Sequence, residues 1–271
     1  MTKKMNLLLI GAGKMGSAML EGWLRQGLSP AHITVVDPYP SQRMQDLALE
    51  GLRLSPPVDE IGPVDVIVLA VKPQTLDAAA TLLAKVASNE TLLISVLAGK
   101  TIANLRERAP AARAIVRAMP NTPAAVGRGI TGCAASPEVS AAQKTFATGL
   151  LASIGRVEWV KAENLIDAVT ALSGSGPAYV FHLVEAMAAA GEKAGLPADL
   201  SLRLARATVE GAGELLFREP GTTAAVLRQN VTSPGGTTAA ALEVLMADDG
   251  LTPLMSRAVA AAKRRAGELS G

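Results

Sequence analysis

The stretch LLLIGAGKMG, Leu7 to Gly16, decides the fold of this 271-residue chain. The run from Asn6 to Ile10 shows no polar alternation, as in a parallel strand covered on both faces. It breaks at Gly11, and Gly11, Gly13 and Gly16 then follow the spacing G-x-G-x-x-G. The three glycines of that pattern serve different ends, namely a tight turn, close approach of backbone to a pyrophosphate, and close packing of helix on strand. A helix is predicted from Met15 to Trp23, with its N-terminal N–H groups and positive dipole end toward the phosphates. Ile10, Gly11, Ala12, Gly13, Lys14, Met15 and Gly16 are thus the first candidate cofactor-binding residues.

The chain beyond this loop strengthens the reading. A second apolar strand, Ile33 to Val36, ends in Asp37, about 20 residues beyond Gly16, where an acid accepts the ribose 2′-hydroxyl. Asp37 points to NADH, whereas Ser41, Gln42 and Arg43 just beyond it suit the 2′-phosphate of NADPH, so the cofactor is NADPH or NADH. A helix is expected over Pro40 to Glu50. The continuous apolar strand Val64 to Val71 stops at Lys72-Pro73, since proline cannot continue a central strand. Ala70, Val71, Lys72 and Pro73 therefore leave the sheet at its carboxyl end, where open α/β sheets bind ligands.

After a helix over Thr75 to Val86, the strand Leu92 to Val96 and the turn at Ala98-Gly99 bring Val96, Leu97 and Ala98 to the same edge. Ala114 to Arg117 is strand-like and leads into MPNTP, Met119 to Pro123, a stiff non-helical loop. There Asn121 either offers amide donors and a carbonyl to a ligand edge or forms an Asx-turn. A strand at Ile130 to Ala134, a helix Glu138 to Leu151 and a closing strand Arg156 to Val160 follow. Five or six strands alternating with helices give a doubly wound parallel sheet, an N-terminal Rossmann domain over residues 1–160.

From 161 to 271 the strand signals vanish. Helices are expected at Glu163 to Leu172, Ala178 to Ala194, Ser201 to Phe217, Thr223 to Asn230, Thr238 to Met246 and Leu251 to Leu269. Pro177 suits a helix first turn and Thr237 an N-cap. Alanine and glycine on these helices, as in AMAAAGEKAG from Ala186 to Gly195, permit close helix approach, in a dimer core or in a compact monomer. The loop TSPGGTT has the parts of an anion site: Gly235 and Gly236 allow a nest of N–H groups, Ser233 and Thr237 add hydroxyls, and a helix points its positive end at the loop. A substrate carboxylate is its natural guest.

Charged residues are 18% of the chain and apolar ones 49%, a composition that buries a core. The formal charge of +2 is too small to imply a nucleic-acid partner. Lys263, Arg264 and Arg265 read as a cationic last helical turn. No run is a membrane span, and MTKKMN leads straight into a strand, so a cytoplasmic location is expected. Cys133, the single cysteine, has neither a pairing partner nor a zinc cluster and is expected to be buried. His32 lies before the second strand, at the surface; His182 suits packing or a dimer contact.

With these pieces in place, the sequence resembles the pyrroline-5-carboxylate reductases, nearly end to end. The resemblance is carried by IGAGKMG at Ile10 to Gly16, AVKP at Ala70 to Pro73, RAMPNTPA at Arg117 to Ala124, LSGSGPAYVF at Leu172 to Phe181 and SPGGTT at Ser233 to Thr238. It implies a Rossmann domain followed by an all-helical domain that forms a homodimer, with dimers often assembled into a larger ring. It also implies hydride transfer from NADPH or NADH to the C=N carbon of Δ1-pyrroline-5-carboxylate, giving L-proline in the last step of proline biosynthesis. Carried over by position, Gly236 and Thr237 would bind the substrate carboxylate with Ser233 nearby. Thr238 would hydrogen-bond the ring nitrogen as the catalytic contact, and Asn230 would support the loop.

The chain departs from many members at Pro57, in place of an adenosine-side asparagine, and in the long segment Glu219 to Asn230. A β-hydroxyacid dehydrogenase of similar layout would need lysine and asparagine four residues apart after Gly174 and Gly176, where Val180 and Val184 stand. A dinucleotide sensor without catalysis would need no carboxylate nest.

Overall fold

The computed structural model describes residues 5–270. The expected run of residues 1–4 into the first strand lies outside them. In chain order the elements are β1 (Leu7–Ile10), α1 (Lys14–Arg25), β2 (Ile33–Val36), α2 (Gln42–Leu49), β3 (Arg53–Leu54), β4 (Val66–Leu69) and α3 (Leu76–Val86). Then come β5 (Leu92–Ser95), α4 (Ile102–Arg108), β6 (Ala114–Met119), β7 (Gly129–Ala135), α5 (Ala141–Leu151), β8 (Gly155–Trp159) and α6 (Ile166–Val169). Helices α7 (Gly176–Lys193), α8 (Ala198–Arg218), α9 (Ala224–Asn230), α10 (Thr237–Leu245) and α11 (Leu251–Ser270) complete the chain.

Among the described residues the strands form one eight-stranded sheet in the order β3-β2-β1-β4-β5-β6-β7-β8. Every pairing is parallel except β6 with β7. The chain moves outward from β1 to β3 and then returns to start β4 on the other side of β1. That reversal opens a crevice at the carboxyl ends of β1 and β4.

Alternate residues of β1 enter separate cores. Leu7 and Leu9 pack with Met19, Leu20 and Trp23 on one face, whereas Leu8 and Ile10 pack with Leu76, Leu83 and Leu105 on the other. Covering on both faces is what makes the strand continuously apolar.

The sheet has eight strands, more than the five or six counted in the doubly wound part. The strands expected at Ile130 to Ala134 and Arg156 to Val160 are present as β7 and β8, which extend the sheet beyond its fully parallel part, and only the two-residue β3, too short for a periodic signal, was unforeseen. Helix α4, also unforeseen, is short and starts at a capping box in which Thr101 and Asn104 each bond the other's backbone N–H. The loop after β6 is not wholly non-helical, because Thr122–Val126 forms a 3₁₀ helix with Pro123 in its first turn.

The helix expected over Glu163 to Leu172 passes instead through 3₁₀, α and π geometry, the last at Thr170–Gly174. Thr170 and Ser173 there donate their hydroxyls to the carbonyls of Ile166 and Val169, at 2.8 and 3.0 Å, a back-bonding that bends helices. Lys263, Arg264 and Arg265 do not form a last turn, since α11 runs on to Ser270. Arg265 pairs instead with Glu268 at 2.7 Å.

Compactness divides the chain into one unit that ends at Gly174 and resumes at Lys263, and another of Ser175–Ala262. A boundary at 160 thus differs from the division by compactness, and a buried cation explains the difference. Arg117, on β6 and only 4% exposed, meets Glu163 at 3.2 Å, Asp167 at 3.4 Å and the Ser270 hydroxyl at 3.3 Å. These contacts fasten residues 163–167 and the end of α11 to the first unit.

Within the second unit, α7 and α8 pack through small residues. The Ser201 hydroxyl donates to the Ala188 carbonyl at 2.6 Å, and a Cβ at Gly191 would collide with that hydroxyl oxygen.

Arg117→Met should lower stability by about 2 kcal/mol or more, because it strands two partly buried carboxylates. Urea unfolding of the two proteins would measure it, and a midpoint within error of the parent's would contradict the assigned role.

Candidate functional site

The glycine loop between β1 and α1 lies at the carboxyl edge of the sheet, and its three glycines differ in what surrounds them. Gly11 has φ +93, and a Cβ there would meet the Ala70 carbonyl and the Val71 nitrogen at 2.8 Å. A Cβ on Gly16 would collide with the Gly11 carbonyl oxygen. Both positions are demanded by the protein's own packing. Gly13, however, has no atom within 4 Å of where its Cβ would be, and it is exposed.

Gly13 is also the N-cap of α1, without a side-chain cap and without an acid in the first turn. Helix geometry leaves the first N–H groups of α1 without intrahelical acceptors. An open, unclashed backbone at an uncapped helix start is the cradle a dinucleotide pyrophosphate needs. The residues present fit such a cofactor.

The other cofactor candidates gather at this edge. The Ala70 N–H donates to the Ile10 carbonyl at 2.8 Å, so Ala70 to Pro73 leave β4 directly beside the glycine loop. The Val96 N–H reaches the Leu69 carbonyl at 3.0 Å, which sets Val96, Leu97 and Ala98 one strand further along. Lys14, Lys72 and Ala98 are exposed. The Asp37 carboxylate accepts the Ala12 N–H on Oδ2 at 2.6 Å and the Tyr39 N–H on Oδ1 at 2.8 Å, which joins the end of β2 to the glycine loop.

Asn121 is no Asx-turn. Its Oδ1 accepts the Ile130 N–H at 3.0 Å and its Nδ2 donates to the Ser173 carbonyl at 3.1 Å, leaving one amide hydrogen for a ligand.

The substrate candidates lie in the second unit. Asn230 ends α9 and is exposed, as are Ser233 and Thr237; Gly236 and Thr238 are half-buried. Gly235 takes φ +66, and the Gly236 N–H turns back to the Ser233 carbonyl at 3.0 Å. The nest expected from Gly235 and Gly236 is therefore narrowed, because the Gly236 N–H closes the turn. The N-cap of α10 is Gly236 rather than Thr237, which is the first helical residue, and no side chain caps this helix. With the cap a glycine, the early N–H groups of α10 and the hydroxyls of Thr237 and Thr238 stay available to an anion.

Titratable side chains contribute little here. His182 is exposed, with Nδ1 2.9 Å from Glu185 one turn along α7. Cys133 is buried as expected, and burial pushes its thiol up to about 12. No group of acids, histidines and cysteines among the described residues could hold a metal ion.

Sequence reasoning missed Ser55, whose φ of +44 is rare for a residue with a side chain and costs on the order of 1 kcal/mol. Its hydroxyl holds the Asp37 main chain, accepting the N–H at 3.3 Å and donating to the carbonyl at 3.1 Å. The only sequence signal was the turn-forming SPP that it begins.

The glycine environments separate ligand contact from packing. Gly13→Ala should cost at most about 1 kcal/mol of stability as a cap change. It should nevertheless weaken dinucleotide binding at least tenfold, or about 1.4 kcal/mol. Gly16→Ala should destabilise the fold itself. Thermal melts beside cofactor titrations distinguish the two, and unchanged affinity in Gly13→Ala would remove Gly13 from the site.

Known proteins resemble this chain over both its sheet-bearing part and its helical part. A family model described as pyrroline-5-carboxylate reductase dimerisation matches residues 163–269, and one described as NADP oxidoreductase coenzyme F420-dependent matches residues 6–99. The pyrroline-5-carboxylate reductase of Pseudomonas aeruginosa is 40% identical over 270 residues, 97% of this chain and 96% of that one. That of Synechocystis is 42% identical over 263 residues, covering 96% and 97%. The solved enzyme of Coxiella burnetii superposes with a TM-score of 0.90 at 35% identity, over 99% of this chain and 100% of that one. The Plasmodium falciparum pyrroline carboxylate reductase with NADP bound gives 0.78 at 30% identity, over 98% of each chain. With likeness of this degree running through both the sheet and the helices, the chain belongs to the pyrroline-5-carboxylate reductase family.

Proposed function

We propose that this reductase binds its cofactor at the glycine loop and its substrate at the loop before α10, and so converts Δ1-pyrroline-5-carboxylate to L-proline with NADPH or NADH. The supporting observation is the uncapped start of α10 after Gly235 and Gly236, in the half of the chain that the family's dimerisation model matches. The cofactor roles fall to Ile10 through Gly16, Asp37, Ala70 through Pro73, Val96 through Ala98, and Asn121. Substrate roles fall to Asn230, Ser233, Gly236, Thr237 and Thr238.

The dinucleotide, when bound, supplies the hydride, as cofactors carry the hard chemistry. The chain's own residues align and hold. Early N–H groups of α10 and the Thr237 hydroxyl take the carboxylate, with Ser233 nearby. The Thr238 hydroxyl accepts the N–H of the protonated imine. Hydride added to the C=N carbon sends the π electrons to nitrogen, which keeps its proton and becomes the neutral secondary amine. No side chain need change its protonation state, and catalysis is largely orientation.

In the same reading the helical half forms a homodimer, the boundary between functional domains falls near residue 160, and dimers assemble into a ring. Support for the dimer comes from apolar side chains exposed on the second unit, including Phe181 at 64% exposure, Leu183 and Leu216. Only Ala188, Ser201 and Ala205 of that unit are buried. Apolar exposure of this extent marks an interaction site. A cytoplasmic location completes the proposal. No helix among the described residues is long and apolar enough to cross a membrane.

Oxidation of NADPH or NADH, followed by its absorbance, should require pyrroline-5-carboxylate. Thr238→Ala should lower kcat/KM by roughly ten- to a hundredfold, equivalent to about 1.5–3 kcal/mol, while Thr238→Ser keeps most activity. Parental rates in both variants at subsaturating substrate would remove Thr238 from the reaction.

Sedimentation of the full chain should give at least a dimer, and Phe181→Glu should shift it toward monomer. A monomeric parent would sink the oligomer reading.

A further inference from the structure

We propose that this chain selects NADH over NADPH, with Asp37 as the discriminating carboxylate and Ser55 as the residue that positions it. The inference deepens the reading of the glycine loop as a dinucleotide site and rests on it. A fixed carboxylate at the end of β2 suits a ribose 2′-hydroxyl and opposes a 2′-phosphate.

Fixation is what the structure displays. Asp37 Oδ2 receives the Ala12 N–H at 2.6 Å and Oδ1 the Tyr39 N–H at 2.8 Å, so neither torsion of the side chain is free. A carboxylate oxygen has two acceptor positions, which leaves each oxygen one for a hydroxyl. The main chain is held as firmly. Ser55 bridges the Asp37 N–H and carbonyl through its hydroxyl, and its own N–H reaches the Val35 carbonyl at 2.7 Å. A serine kept at φ +44 solely to complete a turn is a poor choice when glycine would sit there without strain. The hydroxyl bridge gives that residue a purpose.

Of the side chains suited to a 2′-phosphate, Ser41 is exposed at the start of α2 and caps nothing, whereas Gln42 and the nearby arginines are engaged elsewhere. Arg43, on the first turn of α2, donates to Glu21 at 2.8 Å and lies 3.6 Å from Glu50. The hydrogen bond to Glu21 raises the Arg43 pKa further above its ordinary value. Gln42 donates to Asp46 at 3.0 Å. Arg53, on β3, gives its guanidinium to the carbonyls of Glu60 and Ile61. Both arginines on the two elements after β2 are thus turned to other acceptors. Pro57 adds no donor, having neither N–H nor a polar side chain.

The test needs no turnover. NADH and NADPH are titrated separately against the full-length chain, with nicotinamide fluorescence as the signal. NADH should bind at least tenfold more tightly, a difference of about 1.4 kcal/mol. Asp37→Ser should bring the two affinities within about threefold of each other. Ser55→Ala and Ser55→Gly both remove the bridge, and the glycine variant also relieves the φ, so it keeps the test alive if alanine disturbs folding. Both should reduce the NADH preference while Asp37 remains in place. Glu21→Gln combined with Asp37→Ser should release Arg43 and carry the preference to NADPH.

Equal or tighter binding of NADPH by the parent overturns the proposal, as does an unchanged ratio in Asp37→Ser. A parental ratio in both Ser55 variants overturns the role given to Ser55. Selective NADH binding by a chain that fails to reduce pyrroline-5-carboxylate would leave this inference standing and remove the functional reading instead.

Discussion

The structure depends on one close approach, at the end of β1. Gly11 turns in the left-handed region, Gly16 lies against the Gly11 carbonyl, and Ala70 closes on Gly11 from β4. Three backbones meet where no side chain fits. Because β1 is also the strand about which the sheet reverses direction, the approach fixes both the helix that follows and the crevice beside it. Asp37 then ties β2 to the same loop through the Ala12 N–H, so three neighbouring strands end on one rigid edge. A cofactor bound at this edge, as proposed, would find its contacts already placed, which limits the ordering cost of binding.

The two units bury their apolar residues in different ways. In the first, a sheet covered on both faces hides large side chains such as Trp23, Leu69 and Leu83 within its own core. In the second, small residues let α7 and α8 approach closely, and the larger apolar residues are left outside. A unit in which only Ala188, Ser201 and Ala205 are buried has too little interior to hide both. Its stability as a separate body is therefore expected to depend on what covers it, which agrees with a dimerisation family matching this half.

Much of this was legible because the signals were redundant. Strand β2 coincides with its predicted limits because an apolar run and a terminal acid mark it together, while β4 and β5 are framed by proline and glycine turns. What stayed hidden had no repeating signal. Two residues of β3 give no period, and the π-helical segment is built from hydroxyls that bond backward, a choice no hydrophobic pattern records. Arg117 looked like a strand residue and turned out to be the buried cation that draws in Glu163, Asp167 and Ser270 from distant sequence. Ser55 was hidden for another reason: its significance lies in a positive φ, which serine, unlike glycine, does not announce.

The chemistry that remains asks little of acids and bases, and the chain offers little. Reduction of an alcohol's carbonyl form needs a proton at the developing alkoxide, and a dehydrogenase of related layout would place a lysine for it; here Val180 stands at that point. A protonated imine carries its own proton through hydride addition, so a hydroxyl such as Thr238 can hold the nitrogen without exchanging charge with it. His182 is engaged with Glu185 in solvent, and Cys133 is held protonated by burial. The loop proposed as the substrate site, built mainly of glycine, serine and threonine, would therefore suffice for this reaction and be insufficient for an alcohol. The neutrality of residues 233–238 thus favours a C=N bond over a carbonyl as the bond that is reduced.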